Sequence, residues 1–330
     1  AKLNKADPET QNWADQFERT EAEVLKLNAM VAGTIGQELA LETPEDARRL
    51  VEQTQPINPW AFEAFIQGRH QFSLVTPGSI RRAIGLYEEA IALEPDFAPA
   101  HAHLAEALAM LTQIEPLPPR QEYERSKRAA FKALEIDETN AEAHAVLADL
   151  LRYGPDWDFA GSDRHSLRAL ELDPNNTTAL LYSHQNLQDK GRGDEGLLLL
   201  KKALTLDPYN PFLNANMVFA YGFQGDLDMA REWFERTLDL DQANFVARWA
   251  LGMVYTMNGM NVEAVDVLEE AHDLLFSVET GSPEALPQLL VTLAALGRQQ
   301  EIEALGAEIE EAARQRYISP FFLACLMGAL

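Results

Sequence analysis

The chain reads as an all-α solenoid, a right-handed superhelix of stacked helical hairpins, and three observations predict it. One phrase recurs through the middle of the sequence: YEEAIALEPDF (87–97), FKALEIDETN (131–140), LRALELDPNN (167–176), LKKALTLDPYN (200–210) and FERTLDLDQAN (234–244). Its closing positions are Pro95, Glu138, Pro174, Pro208 and Gln242, and the last three stand 34 residues apart. A unit of that length is a helical hairpin that hides its apolar face only by stacking on neighbours. Small and large residues also alternate at this period. Ala83, Ala230 and Ala264 recur with Ser162 and Gly196 as small stand-ins, and Ala90, Ala133, Ala169, Ala203 and Ala271 recur one face further on, Thr237 being the exception. Tyr87, Leu200, Phe234 and Leu268 fill the space between them, a small-beside-large packing code. Finally, Gly191, Gly225 and Gly259 fall at one turn position, where glycine supplies the left-handed conformation that ends a helix.

The elements follow in order. Residues 1–41 are an N-terminal helical segment, in which Trp13, Phe17, Val24, Leu27, Val31, Ile35 and Leu39 recur at helical spacing over 13–41. Residues 42–59 form a linker, with a short helix over 44–53 after Thr43 as N-cap. Six repeats then span 60–276. In the first, helix A covers 61–74, a turn falls at Thr76-Pro77-Gly78, and helix B covers 80–93 until Pro95 stops it, as its equivalents do later. The second repeat is longer, 43 residues separating Pro95 from Glu138, and the excess falls at Gln113–Arg120, where Pro116, Pro118 and Pro119 exclude helix. The third carries an insertion around 154–157. Residues 277–330 begin with the break SVETGSP, continue as a divergent pair over 284–296 and 299–315, and end in a helix from Ser319-Pro320.

These repeats resemble tetratricopeptide repeats, and the flanks carry a narrower likeness. NWADQFERTEAEVLKLNAMVAGTIGQEL (12–39) is similar to the motif that precedes the repeats of a group of bacterial multidomain signalling proteins. The stretch 58–107 is similar to that group's first repeat, through Asn58, Pro59, Glu63, Ala64, Phe65, Gly68 and Arg69. WDFAGSDRHSLRALELDPNN (157–176) and QRYISPFFLA (315–324) match two further segments. The resemblance implies a sensory or scaffolding C-terminal half, whose missing output half would be an adenylate or guanylate cyclase, a winged-helix transcriptional regulator or a kinase. Residues 1–41 then read as the tail of a truncated preceding domain.

Composition narrows the function. Acidic residues number 52 against 27 basic ones, a formal charge of −25. Such a field repels a phosphate backbone, so no nucleic-acid partner is expected. No apolar run reaches membrane-spanning length. With Cys325 alone no intramolecular disulfide is possible, which fits the cytoplasm, the periplasmic side of a membrane-anchored regulator being the alternative. The histidines lack metal-ligand spacing: His101 and His103 stand two apart, His101 and His144 are repeat equivalents, and His165 and His272 read as solvated. Cys325 has no evident base, and paired carboxylates such as Glu269/Glu270 point apart on a helix. No catalytic residue, metal or cofactor is therefore expected, and the chain is not read as an enzyme.

What remains is the concave face that the A helices line. Placed by repeat position, its inward residues are Ala102, Glu106, Ala109 and Met110, then Glu142, Ala145, Asp149, Arg152 and Tyr153, then Leu181, Gln185, Gln188 and Asp189. Phe212, Ala215, Phe219 and Phe223 follow, then Trp249, Met253, Thr256 and Met257. The groove passes from acidic to aromatic. Phe212, Phe219, Phe223, Trp249, Met253, Met257, Tyr153 and Gln185 are the candidate contacts for a protein or peptide partner, since aromatic and Met side chains anchor helices and peptides. The competing reading has 321–330 curl in to cover them. A dimerisation role, giving a homodimer, and a small-molecule pocket near Tyr153, Tyr182 and Phe219 are the alternatives. A clamp for acidic tails is excluded, because Glu106 and Asp149 occupy positions where it needs cations.

Overall fold

The computed structural model describes residues 57–114, 119–154, 157–277, 285–315 and 320–329. The helices expected over 13–41 and 44–53 lie outside them. Among the described residues there are fifteen α-helices and no strand. They run as hairpins: α1 (Pro59–Ser73) with α2 (Pro77–Leu93), α3 (Ala98–Ile114) with α4 (Pro119–Ile136), and α5 (Ala141–Tyr153) with α6 (Phe159–Leu172). Next come α7 (Thr177–Asp189) with α8 (Gly193–Leu206), α9 (Pro211–Phe223) with α10 (Leu227–Leu240), and α11 (Phe245–Met257) with α12 (Asn261–Ser277). The seventh pair, α13 (Leu286–Leu296) with α14 (Gln299–Gln315), is closed by α15 (Pro320–Ala329). No helix among the described residues is long and apolar enough to cross a membrane.

The joints are written in a short code. At three seams Asp137, Asp173 and Asp241 accept from a backbone N–H two residues on, at 2.9, 2.9 and 3.1 Å, and an asparagine follows as the N-cap of the next A helix. Asn140, Asn176 and Asn244 each accept from the N–H three residues ahead, and Asn210 does the same for α9. Proline therefore shares its role at the helix ends with this turn. α4 and α10 end at the same point as the other B helices, although Glu138 and Gln242 stand where proline would. The Asp–x–x–Asn turn ends α4 and α10 without proline, whereas α2 ends before Glu94-Pro95 with no such turn.

Two further details depart from the sequence reading. Gln113–Arg120 is not all loop, since α3 reaches Ile114 and α4 already begins at Pro119. Proline is tolerated in the first helical turn, where its missing N–H has no partner to lose; Pro77 opens α2 in the same way behind the Thr76 cap. His272 is buried rather than solvated, with Glu308 of α14 at 3.8 Å.

The packing code is borne out. Ala83, Ala230, Ala264 and Ser162 are fully buried, as are Ala90, Ala133, Ala169, Ala203, Ala271 and Thr237. A Cβ on Gly196 would stand 2.8 Å from the His184 carbonyl oxygen, so the fourth hairpin closes only without one. Gly191, Gly225 and Gly259 have φ of 74°, 80° and 72°, and Gly297 repeats this at 68° in the seventh pair. A Cβ there would meet nothing within 4 Å, so the demand is conformational and not spatial.

Successive A helices lie against one another along the stack, with one exception. α7 and α9 meet less closely, while α3, α5 and α7 pack in sequence, as do α9, α11 and α13. Leu181 and Tyr182 still share an apolar cluster with Leu213 and Met217 across that seam.

Candidate functional site

The A helices carry the candidate residues because each is capped at the same point, so equal repeat positions arrive at equal heights on the stack. One such position holds Glu106, Asp149, Gln185, Phe219 and Met253 in successive repeats. Its neighbour one residue after the next turn holds Met110, Tyr153, Asp189, Phe223 and Met257.

On α9 and α11 these residues build an aromatic ladder. Phe219 lies edge-on to Trp249 with ring centres 5.4 Å apart, and stacks on Phe223 at 6.2 Å. Trp249 donates through Nε1 to Gln288 Oε1 of α13 at 3.4 Å. Phe219, Trp249 and Met253 are half-buried by this arrangement. Phe223 and Met257, at the open ends of their helices, remain 45% and 58% exposed. Among the described residues α15 packs on α13 and α14, with Leu326 buried against Gly306. Phe223 also lines a cleft of about 460 Å³ with Ala220, Gln188 and the 191–195 turn, at one end of the looser α7–α9 seam.

Tyr153 and Gln185 sit apart from the ladder, Gln185 in a polar network. Arg152 donates to Asp149 Oδ1 at 2.5 Å, to Asp189 Oδ2 at 2.7 Å and to Gln185 Oε1 at 3.0 Å. Gln185 passes the chain on, donating from Nε2 to Asn216 Oδ1 of α9 at 3.2 Å. Both ends of its amide are thus engaged within the molecule. Tyr153 at the end of α5 is 51% exposed.

Phe212 belongs to a third place. At the other end of the α7–α9 seam lies a cavity of about 220 Å³, walled by Arg69 and Phe72 of α1, Tyr87 of α2, His103, Glu106 and Met110 of α3, Thr178 and Leu181 of α7, and Phe212 and Leu213 of α9. None of Tyr153, Tyr182 and Phe219 lines it. His103 Nδ1 is 3.2 Å from Glu106 Oε2, and the Thr178 hydroxyl reaches Glu106 Oε1 at 3.5 Å. Asn176 Nδ2 donates to Glu142 Oε2 at 2.8 Å. Burial, and after it the charge of Glu142, pushes the Glu106 carboxyl up to about 7. Burial works against a charged His103 ring, but its bond to Glu106 and the charge of Glu142 outweigh that and raise it. Burial, with the charge of Glu106 adding to it, holds the Tyr87 phenol well above its ordinary value.

His101 and His144 do what repeat equivalence implies: their Nε2 atoms meet the carbonyl oxygens of Pro95 and Glu138 at 2.9 and 3.2 Å. Asn214 repeats the bond to Pro208 at 3.1 Å. His165 is not free in solvent, since its Nδ1 meets that of His144 at 2.8 Å. The grouping that sequence reasoning missed is His103 with Glu106. The signal was their spacing of three on one helix, facing an inward acid on the next A helix.

Residues 213–244, from α9 through α10 to the following cap, match the family profile of the tetratricopeptide repeat. No curated protein sequence matches the chain. Among solved structures it is similar to Pseudomonas aeruginosa pilF, with 20% identity, 69% of this chain and 96% of that one covered, and a TM-score of 0.44. It is similar to a thermophilic TPR protein of Thermus thermophilus, with 16% identity, 59% and 99% covered, and a TM-score of 0.47. It is also similar to YrrB, described as a TPR protein with an unusual peptide-binding site, with 19% identity, 61% and 95% covered, and a TM-score of 0.36. The described residues thus form an all-α solenoid of tetratricopeptide type, one unit of which, 213–244, carries the repeat's own sequence profile.

Proposed function

We propose that the chain is a protein-interaction module whose concave face takes a partner helix or peptide on the α9–α11 ladder. The observation that carries this reading is the exposure of Phe223 and Met257 beside an already ordered Phe219–Trp249 pair. Exposed aromatic and Met side chains on a rigid helical wall offer apolar area at low ordering cost. Burying it contributes about 25 cal/mol per Å² before the cost of association. The charge of −25 favours partners with basic residues flanking the apolar anchors and disfavours nucleic acid. In the setting that the flanking motifs imply, the module serves a bacterial signalling protein as its sensory or scaffolding part, and a second copy of the chain is one partner it can take.

The experiment is peptide selection by display against the full chain, followed by affinity measurement with Phe223→Ser/Met257→Ser. Selected peptides should carry apolar anchors at helical spacing and bind the double variant at least tenfold more weakly, with unchanged circular dichroism. Equal affinity for both proteins would remove the ladder as the contact surface. Ultracentrifugation over a concentration series decides whether the chain's own copy is the occupant.

A further inference from the structure

His103 and Glu106 on the wall of the 220 Å³ cavity belong, with Glu142 of the next A helix, to a side-chain cluster that partner binding on the ladder does not use. One nitrogen of His103 and one oxygen each from Glu106 and Glu142 lie within 4.8 Å of one another. Ligand atoms around a tetrahedral ion at about 2.1 Å stand roughly 3.4 Å apart. His103 Nδ1 and Glu106 Oε2, at 3.2 Å, already have that separation, and Glu142, within 4.8 Å of them, needs to close by at most about 1.4 Å.

The surroundings ask for a cation. Glu106 is 7% exposed, and a second carboxylate stands beside it. Against them the cavity offers the exposed Arg69 on α1, while α7 and α9 contribute Thr178 and Phe212, neither basic. Buried like charges are costly unless a cation or a shared proton joins them. Independently, the cavity is lined by Tyr87, which is fully buried yet has a hydroxyl with no hydrogen-bond partner, and Glu142 Oε1 is buried and equally unpartnered. The remaining bonds orient the donors. Asn176 occupies Glu142 Oε2 and so leaves Oε1 free, and Thr178 engages Glu106 Oε1, leaving Oε2 toward His103. Outer partners that fix the ligating atoms in this way are a regular feature of metal sites.

We propose that His103, Glu106 and Glu142 bind one divalent transition-metal ion at the wall of this cavity. One imidazole with two carboxylates is a donor set for zinc and its first-row neighbours, and three protein ligands leave a further position open toward the cavity. This site shares no residue with the aromatic ladder, so either assignment can fail without the other.

The test is calorimetric titration of the chelator-stripped full chain with Zn²⁺, paired with thermal melts. One equivalent should bind per chain and raise the melting temperature, and His103→Asn and Glu142→Gln should each weaken binding tenfold or more. Absence of binding, or equal binding by wild type and both variants through surface carboxylates, overturns the site. X-ray absorption on the zinc-loaded wild-type chain needs no variant to fold. An imidazole with oxygen ligands is expected; oxygen-only coordination, or a sulfur ligand from Cys325, overturns it.

Discussion

The two halves of the A-helix face are built on one backbone and differ in what they hold. In the first half the shared A-helix position carries Glu106 and Asp149, 7% and 2% exposed; Glu106 meets Thr178 of α7, and Asp149 is held by Arg152, whose other bonds reach Gln185 and Asp189 of α7. In the second half the same position carries Phe219 and Met253, half-buried among other apolar rings. The B-helix positions show no such change: Ala90, Ala133, Ala169, Ala203, Thr237 and Ala271 are all fully buried. Stacking constrains the face where hairpins meet and leaves these A-helix positions free to diverge. A solenoid can therefore hold a polar cavity and an apolar ladder on one scaffold.

The sharpest way to break the comparison is to cut the polar half. Arg152→Ala removes the guanidinium that Asp149, Gln185 and Asp189 share. With Asp149 this deeply buried, the loss should be about 3–5 kcal/mol in urea unfolding. Trp249→Ala deletes a larger side chain from the aromatic half, yet it should cost less, about 2 kcal/mol, because Trp249 is only half-buried. Reversal of that order would mean that the apolar ladder is the more structural of the two halves.

Next comes a pH effect at the middle of the stack. Burial, with the charge of Arg152 adding to it, pushes His184 down to about 4. A histidine depressed from its usual 6.5 stabilises the fold fully above that value and loses the contribution as pH falls toward 4. The amount is about 3 kcal/mol at most. Unfolding curves for wild type and His184→Asn, taken from pH 7 to pH 4, should converge as the pH falls. Parallel curves would show that His184 is not held neutral.

The turn glycines test whether the scaffold really is common to both halves. Gly191→Ala borders the polar half and Gly259→Ala the aromatic one, at φ of 74° and 72° with open space around each. Each should cost about 1 kcal/mol, and the two values should agree.

Much of this was legible in the sequence because it is local. The period, the small-large alternation and the turn glycines each depend on a residue and its near neighbours. Helix ends were harder at Pro119, where proline opens a helix that its presence seemed to exclude. The gradient along the groove could be read by placing residues in register, but its consequences could not. Gln185 is engaged on both sides by Arg152 and Asn216, and Phe219 is satisfied in part by Trp249. The cavity is the least local feature. It joins Glu106 to Thr178, 72 residues on, and depends on how closely α7 and α9 meet, which no single repeat encodes.

The smallest expected stability effect separates function from folding on the aromatic side. Phe223 and Met257 are the more exposed members of the ladder, although Phe223 stacks on Phe219, so Phe223→Ser/Met257→Ser should change unfolding free energy by about 1 kcal/mol or less. The Phe219–Trp249 pair behind them stays in place, because its contact does not pass through either exposed residue. A loss of several times that size would mean the two side chains cover apolar surface of their own protein. The ladder would then be a part of the core that reaches the surface. A stable variant that no longer binds its selected peptides would leave burial by a partner as the reason these residues are apolar.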